Sequence, residues 1–250
     1  MSETVAITGI LGGIGRALAK EFQSRGYHVV GMDLRDDCEE SFDYFQLDVT
    51  NREECEKKFQ LIQNNYPKLR YWINNAGIAH LSPFLDTSIE SFDKVMEVNF
   101  SAAVFSTHYW LRHFKAYGGV VVNISSAAGF IPNGDMSSYV ASKHALVGFT
   151  RAVQMELDYQ QSLASTCLVT PGFVKTEIMQ VGSKYGLPSQ LSNFATPPEK
   201  CAREIVEGVL NGDKEIVPTI SGKLMTNLYH YLPFGSKLSG LVYKASKKLR

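Results

Sequence analysis

Tyr139 and Lys143, in the segment YVASK, stand four residues apart. On a helix those positions share a face, so a phenol and an amine can reach one substrate. A free tyrosine with a pKa of ~10 is a poor base near neutrality. A neighbouring ammonium stabilises the phenolate and makes the side chain a usable acid/base. The same pair also decorates exposed helices, so its meaning depends on its setting. Upstream, VNISSAAG ends a predicted strand with Ser125 and Ser126. Hydroxyls at the carboxyl end of a parallel strand face the usual ligand crevice; a turn or helix-capping role would suit either serine as well.

A second setting is the turn TGILGGIG, Thr8 to Gly15, between an apolar run and a helical one. Gly9, Gly13 and Gly15 allow positive φ and a bare backbone, and a following helix N-terminus offers unpaired N–H groups to a phosphate. A plain tight turn would also use these glycines. Asp33 closes HVVGMD, 18 residues after Gly15. A carboxylate there accepts from both hydroxyls of an adenosine ribose and repels a 2′-phosphate, which favours NAD over NADP. Gly12 offers no basic side chain against that preference, whereas nearby Arg35 works against it. Asp48, in LDV, either meets an adenine amino group or caps its own loop.

These residues sit at the junctions of a regular alternation. Strands are predicted at TVAIT, HVVGMD, FQLDVT, YWINNAG, GGVVVNIS, ASTCLVTPG and KEIVP. Helices are predicted at GRALAKEFQSRG, EECEKKFQLIQNN, the long SFDKVMEVNFSAAVFSTHYWLRHF, SSYVASKHALVGFTRAVQMELDY and PEKCAREIVEGVLN. Strands apolar on both faces, joined by helices, make a parallel sheet covered on both sides with right-handed crossovers. The fold class is α/β, a doubly wound sheet in three α/β/α layers forming one domain over residues 1–220. Residues 221–250 form a basic C-terminal extension.

At 250 residues, 44% hydrophobic and 20% charged, the chain is globular. Cys38, Cys55, Cys167 and Cys201 show no metal or disulfide spacing and read as reduced thiols of a cytoplasmic protein. The histidines show no ligand spacing, so no metal is expected. No secretory leader is visible, no apolar run is long enough to span a bilayer, and no nucleic-acid partner is expected. Net charge is zero, yet residues 222–250 hold six cations and no acids.

Taken together, TGILGGIG, NNAG (Asn74–Gly77), Asn99 in EVNF, Ser126, YVASK and PGFVKT (Pro171–Thr176) resemble the short-chain dehydrogenase/reductase family in its ~250-residue branch, with an extended Rossmann fold. The motifs occur in the family's order between residues 8 and 176. The resemblance implies hydride transfer to or from a nicotinamide. Tyr139 would give or take the proton at the substrate oxygen, and Lys143 would lower its pKa and bind the nicotinamide ribose. Ser126, 13 residues before Tyr139, would hold the substrate oxygen, and Asn99 would complete a proton relay. The cofactor would be lined by Gly9, Leu11, Gly13, Ile14 and Gly15, with Thr8 bracing the turn. Asp33, Leu34, Asp48 and Val49 would take its adenosine end. Asn75, Ala76 and Gly77 would line the adjoining ribose. Pro171, Gly172, Val174 and Thr176 would wrap the nicotinamide.

Residues 178–198, with Ile178, Met179, Leu187, Leu191 and Phe194, are expected to form an apolar substrate lid, and a medium-sized hydrophobic alcohol or ketone follows from them. The tail reads as two amphipathic helices broken at Pro233 and Gly235; the second groups Leu238, Leu241, Val242, Ala245 and Leu249 on one face. It is expected to pack on the protein or a sister subunit; the alternative is the surface of an anionic membrane. A homodimer or homotetramer through the two long helices is expected from the family. The main expectation is an NAD-preferring secondary-alcohol dehydrogenase or ketone reductase. The alternatives are an NADPH-dependent 3-oxoacyl-thioester reductase and, from a different class, a catalytically silent NAD(H)-binding regulator.

Overall fold

The structure, a computed structural model, describes residues 2–36, 41–177 and 195–231. The elements are β1 (Thr4–Thr8), α1 (Gly13–Ser24), β2 (His28–Asp33), β3 (Asp43–Gln46), α2 (Arg52–Asn65), β4 (Leu69–Asn74), α3 (Ile89–Met96), α4 (Ala102–Phe114), β5 (Gly119–Ile124), α5 (Ser137–Tyr159), β6 (Ala164–Val169), α6 (Pro198–Asn211), β7 (Glu215–Ile216) and α7 (Ile220–Tyr231). Among the described residues all strand pairs are parallel, in a seven-stranded sheet ordered β3-β2-β1-β4-β5-β6-β7. The order reverses between β1 and β4, which opens a crevice at the carboxyl edge.

Alternate strand residues feed two cores. Val5 and Ile7 pack with Leu18 and Phe22 of α1 and Ile205 and Val206 of α6. Ala6 and Trp72 face the other layer, with Phe59 of α2 and Trp110 and Phe114 of α4. Trp72 and Trp110 stack with centroids 4.6 Å apart. Between that layer and the sheet runs a buried polar chain. Asn74 accepts from Trp72 Nε1 (2.9 Å) and Ser106 Oγ (2.6 Å) and donates to Asn123 Oδ1 (2.8 Å). Asn123 donates to Thr150 of α5 (3.0 Å). These bonds lock β4, β5, α4 and α5 in one register, because a buried polar group that loses a partner cannot turn to water.

The alternation was legible; its ends moved inward. The third strand stops at Gln46, before the expected LDVT. Asp48 Oδ1 there accepts from the N–H and hydroxyl of Thr50 (2.9 and 2.7 Å), which closes a turn in place of a ladder. The fourth stops at Asn74, because the Asn75 amide donates to the carbonyls of Thr8 and Gly9 (3.0 and 2.9 Å). The long central helix is interrupted by a π-helical turn, Glu97–Ser101. The boundary expected between residues 220 and 221 falls in the first turn of α7. Cys55, Cys167 and Cys201 are free and buried. Cys38, most of the expected lid and the second tail helix lie outside the described residues. Among the described residues, no helix is long and apolar enough to cross a membrane.

Candidate active site

The crevice is a cleft of about 330 Å³ that runs from Asp33 and Asp48 at one end to Tyr139 and Lys143 at the other. At its centre is the glycine turn. Gly9 has φ +62°, and a Cβ there would stand 2.7 Å from Ala76 Cα, so only glycine lets the turn and the Asn75–Gly77 strand end touch. Thr8 sits beneath both: its hydroxyl accepts from the N–H groups of Asn75 and Ala76 (both 3.1 Å). Gly15 is pressed against the backbone of Ile10, 2.7 Å from where its Cβ would be.

The N-terminus of α1 has Gly12 as its cap residue, with no capping side chain and no acid in the first turn. Gly12, Gly13 and Ile14 line the cleft. This is an anion seat by the ordinary electrostatics of a helix end. Beside it, Asp33 Oδ2 accepts from Leu11 N (3.0 Å), and Oδ1 accepts from Arg35 Nε (3.1 Å). Leu11 therefore contributes through its backbone, while its side chain is buried. Burial pushes the Asp48 carboxyl up, but the Thr50 bonds and nearby Lys94 outweigh it and hold the group below its usual range. These groups fit an anionic, ribose-bearing ligand such as a dinucleotide.

At the other end, Tyr139 and Lys143 share one face of α5, with Lys143 Nζ 5.7 Å from the phenol ring centroid. Lys143 is buried, donates to Ile124 O (2.9 Å), and has its pKa drawn down to about 8 by desolvation. Tyr139 differs from the sequence expectation. Burial raises its pKa, and the Ser126 hydrogen bond only partly opposes that.

The two serines separate cleanly. Ser125 spends its hydroxyl on Lys143 O (3.0 Å), whereas Ser126 hydrogen-bonds Tyr139 and accepts from Ala128 N (3.1 Å). Asn99 lies in the π turn behind Gly77. Its amide donates to Ile78 O (2.9 Å) and Ser142 Oγ (3.0 Å), and its oxygen accepts from Ile78 N (2.8 Å). A Cβ on Gly77 would stand 3.3 Å from Asn99 Oδ1 and 3.7 Å from Lys143 Nζ. The π turn aims a polar side chain at the lysine's surroundings, a frequent use of that geometry.

Leu34, Val49 and Thr176 also line the cleft. Pro171, Gly172 and Val174 support it from outside: Pro171 O accepts from Ala127 N (2.7 Å), and Val174 bridges to Thr196. Sequence reasoning missed Leu47, Ile78, Lys94, Val98 and Glu177 on the walls. The i, i+4 pair of Lys94 and Val98, just before Asn99, was the available signal. Among the described residues no cluster of His, Cys, Asp and Glu could hold a metal ion.

Comparison with known proteins agrees with this geometry. The short chain dehydrogenase family model matches residues 3–184. The "11-beta-hydroxysteroid dehydrogenase-like 2" of Arabidopsis thaliana is 30% identical over 230 residues, covering 86% of this chain and 73% of that protein. The "15-hydroxyprostaglandin dehydrogenase [NAD(+)]" of Homo sapiens is 27% identical, covering 70% of this chain and 69% of its own. Among solved structures, a 4-hydroxyisoleucine dehydrogenase complexed with NADH superposes with a TM-score of 0.73 at 26% identity, over 87% of this chain and 94% of that one.

Proposed function

Because the chain belongs to the short-chain dehydrogenase family, we propose that it is an NAD(H)-preferring oxidoreductase that interconverts a secondary alcohol and a ketone on a medium-sized, apolar substrate. The observation that carries this reading is the shared cleft. An uncapped helix end and Asp33 occupy one end, and Tyr139 and Lys143 line the other, with Ser126 hydrogen-bonded to Tyr139.

Asp33 takes the adenosine ribose hydroxyls, and the first turn of α1 takes the pyrophosphate. Bound nicotinamide supplies or accepts the hydride at the substrate carbon. Ser126 holds the substrate oxygen. Tyr139 donates its proton to that oxygen in reduction and accepts the alcohol proton in oxidation. Lys143, cationic below about pH 8, supports the phenolate and binds the nicotinamide ribose. Asn99, fixed by Ile78 and Ser142, holds the polar path behind Lys143. The relatives' names refer to a hydroxysteroid and a hydroxyprostaglandin, both lipid alcohols, which supports an apolar substrate.

The deciding experiment titrates NADH and NADPH against wild type and Asp33→Ala, then screens lipid alcohols with NAD+. Tighter NADPH binding by wild type would overturn the NAD preference. A second reading, the NADPH-dependent 3-oxoacyl-thioester reductase, draws on Arg35, whose guanidinium stands on Asp33 and would offer a cation to a 2′-phosphate. The exposed Met155 and Tyr159 at the end of α5, with exposed Leu163 just before β6, support a homodimer or homotetramer. The reading places the protein in the cytoplasm without a membrane contact; cosedimentation of the full chain with anionic vesicles would overturn that placement.

A further inference from the structure

The loop Pro171–Thr176 is held at three places, and one of them lies far along the chain. On its inner side Pro171 O accepts from Ala127 N (2.7 Å), next to Ser126. At its far end Thr176 Cγ2 lies 3.0 Å from where a Gly13 Cβ would be, so the loop also touches the glycine turn. Between these points the N–H groups of Gly172 and Phe173 face away from the cleft and need partners. They find them 47 and 48 residues later, at the start of α7. Gly172 N donates to Thr219 Oγ1 (2.8 Å), and Phe173 N donates to Ser221 Oγ (3.2 Å).

The join is built, not incidental. Thr219 is wholly buried, and its hydroxyl oxygen also accepts from Gly222 N (3.0 Å), so one side chain closes the first turn of α7 and holds the loop together. The approach requires glycine on both sides: a Cβ on Gly172 would stand 2.6 Å from Ser221 Oγ, and one on Gly222 would stand 3.0 Å from Gly172 N. The same loop anchors both ends of the segment that follows it. Phe173 O accepts from Thr196 N (2.9 Å), and Thr196 O accepts from Lys175 N (3.0 Å). Thr219 and Ser221 lie beyond residues 3–184, the segment the family model matches.

We propose that Thr219 and Ser221 are positioning residues that clasp the nicotinamide-side loop, which makes the entry to α7 a working part of the cofactor site. The inference rests on the dinucleotide reading above. The clasp sets how far the loop stands from Ser126 and from Gly13. Losing it therefore disturbs the nicotinamide half of the site and leaves the adenosine half, which rests on Asp33 and α1, intact.

The test compares affinities for NADH and for ADP, which spans only the adenosine half, in Thr219→Val, Thr219→Ser and Ser221→Ala. Thr219→Val, isosteric but without the hydroxyl, should weaken NADH at least about tenfold and ADP less than about twofold, with Thr219→Ser restoring NADH binding. Ser221→Ala, at a less buried position, should show the same pattern more weakly and carries the test if Thr219→Val does not fold. Unchanged NADH affinity in the folded variants, or equal weakening of both ligands, would overturn the clasp. Wild type that binds ADP but not NADH would overturn the dinucleotide reading itself, a result separate from any variant's behaviour.

Discussion

Lys143 Nζ donates to the carbonyl oxygen of Ile124 at 2.9 Å, which ties the middle of α5 to the last residue of β5. That carbonyl is the end of a strand whose ladder has stopped, and the bond brings an ammonium into the protein interior beneath Tyr139. Burial of the charge sets the chemistry and leaves a signature in stability.

The signature has a definite sign. The folded chain sheds the Lys143 proton near pH 8, whereas the unfolded chain holds it to about 10.5. Stability rises with pH wherever the unfolded state binds more protons. The burial penalty is therefore full below pH 8 and relieved through the window from 8 to about 10.5. Relative to Lys143→Met, wild type should gain on the order of 3 kcal/mol between pH 7 and pH 10.5. Urea denaturation of both proteins across that range reads the difference directly, and a flat difference would refute the shift.

Tyr139→Phe keeps the ring and removes the proton carrier. Turnover should fall by about two to four orders of magnitude, while NADH affinity changes less than about threefold. Steady-state kinetics alongside a fluorescence titration separates the two effects. Turnover near wild type in the variant would remove Tyr139 from the mechanism.

Asp33→Ala removes the acceptor shared by Leu11 N and Arg35. Hydrogen bonds to a charged group are worth ~1.5–3 kcal/mol, so NADH affinity should fall roughly 10- to 100-fold. NADPH affinity should hold or improve, because Arg35 is released toward a 2′-phosphate. Calorimetry with both dinucleotides checks the crossing of the two preferences.

Two glycines with positive φ should behave differently when replaced by alanine. Gly26 (φ +83°) has open space around its would-be Cβ, so only the backbone penalty applies, ~1–2 kcal/mol, with cofactor binding untouched. Gly9 (φ +62°) adds a collision with Ala76, so Gly9→Ala should lose more stability and most of its NADH binding. Thermal melts with and without NADH distinguish them, and equal behaviour would mean the turn is not shaped by the Asn75–Gly77 contact.

Asn74→Leu should destabilise by at least ~2 kcal/mol, because Trp72 Nε1, Ser106 and Asn123 lose a buried partner at once. Replacing Asn74 and Asn123 together with leucine should be less than additive, since both changes remove the same Asn74–Asn123 bond. A double-mutant cycle by chemical denaturation measures that coupling.

What the sequence determined by itself was the order of the elements and the residue types at their carboxyl ends. Alternating apolar runs and helical periods specify layers, because each element must bury one face. Glycine, Asp33 and the Tyr139/Lys143 pair announce themselves because few residue types can fill such places. The tertiary structure decided what depends on distant partners. It separated Ser126 from Ser125 by giving Ser125's hydroxyl to Lys143 O. It raised the Tyr139 pKa where local charge pointed down, because desolvation is a property of everything packed around a group. It brought Thr219 to Gly172, a pairing with no local spacing to betray it. Local pattern fixes which face of an element is buried; only the closed sheet fixes which groups meet across it.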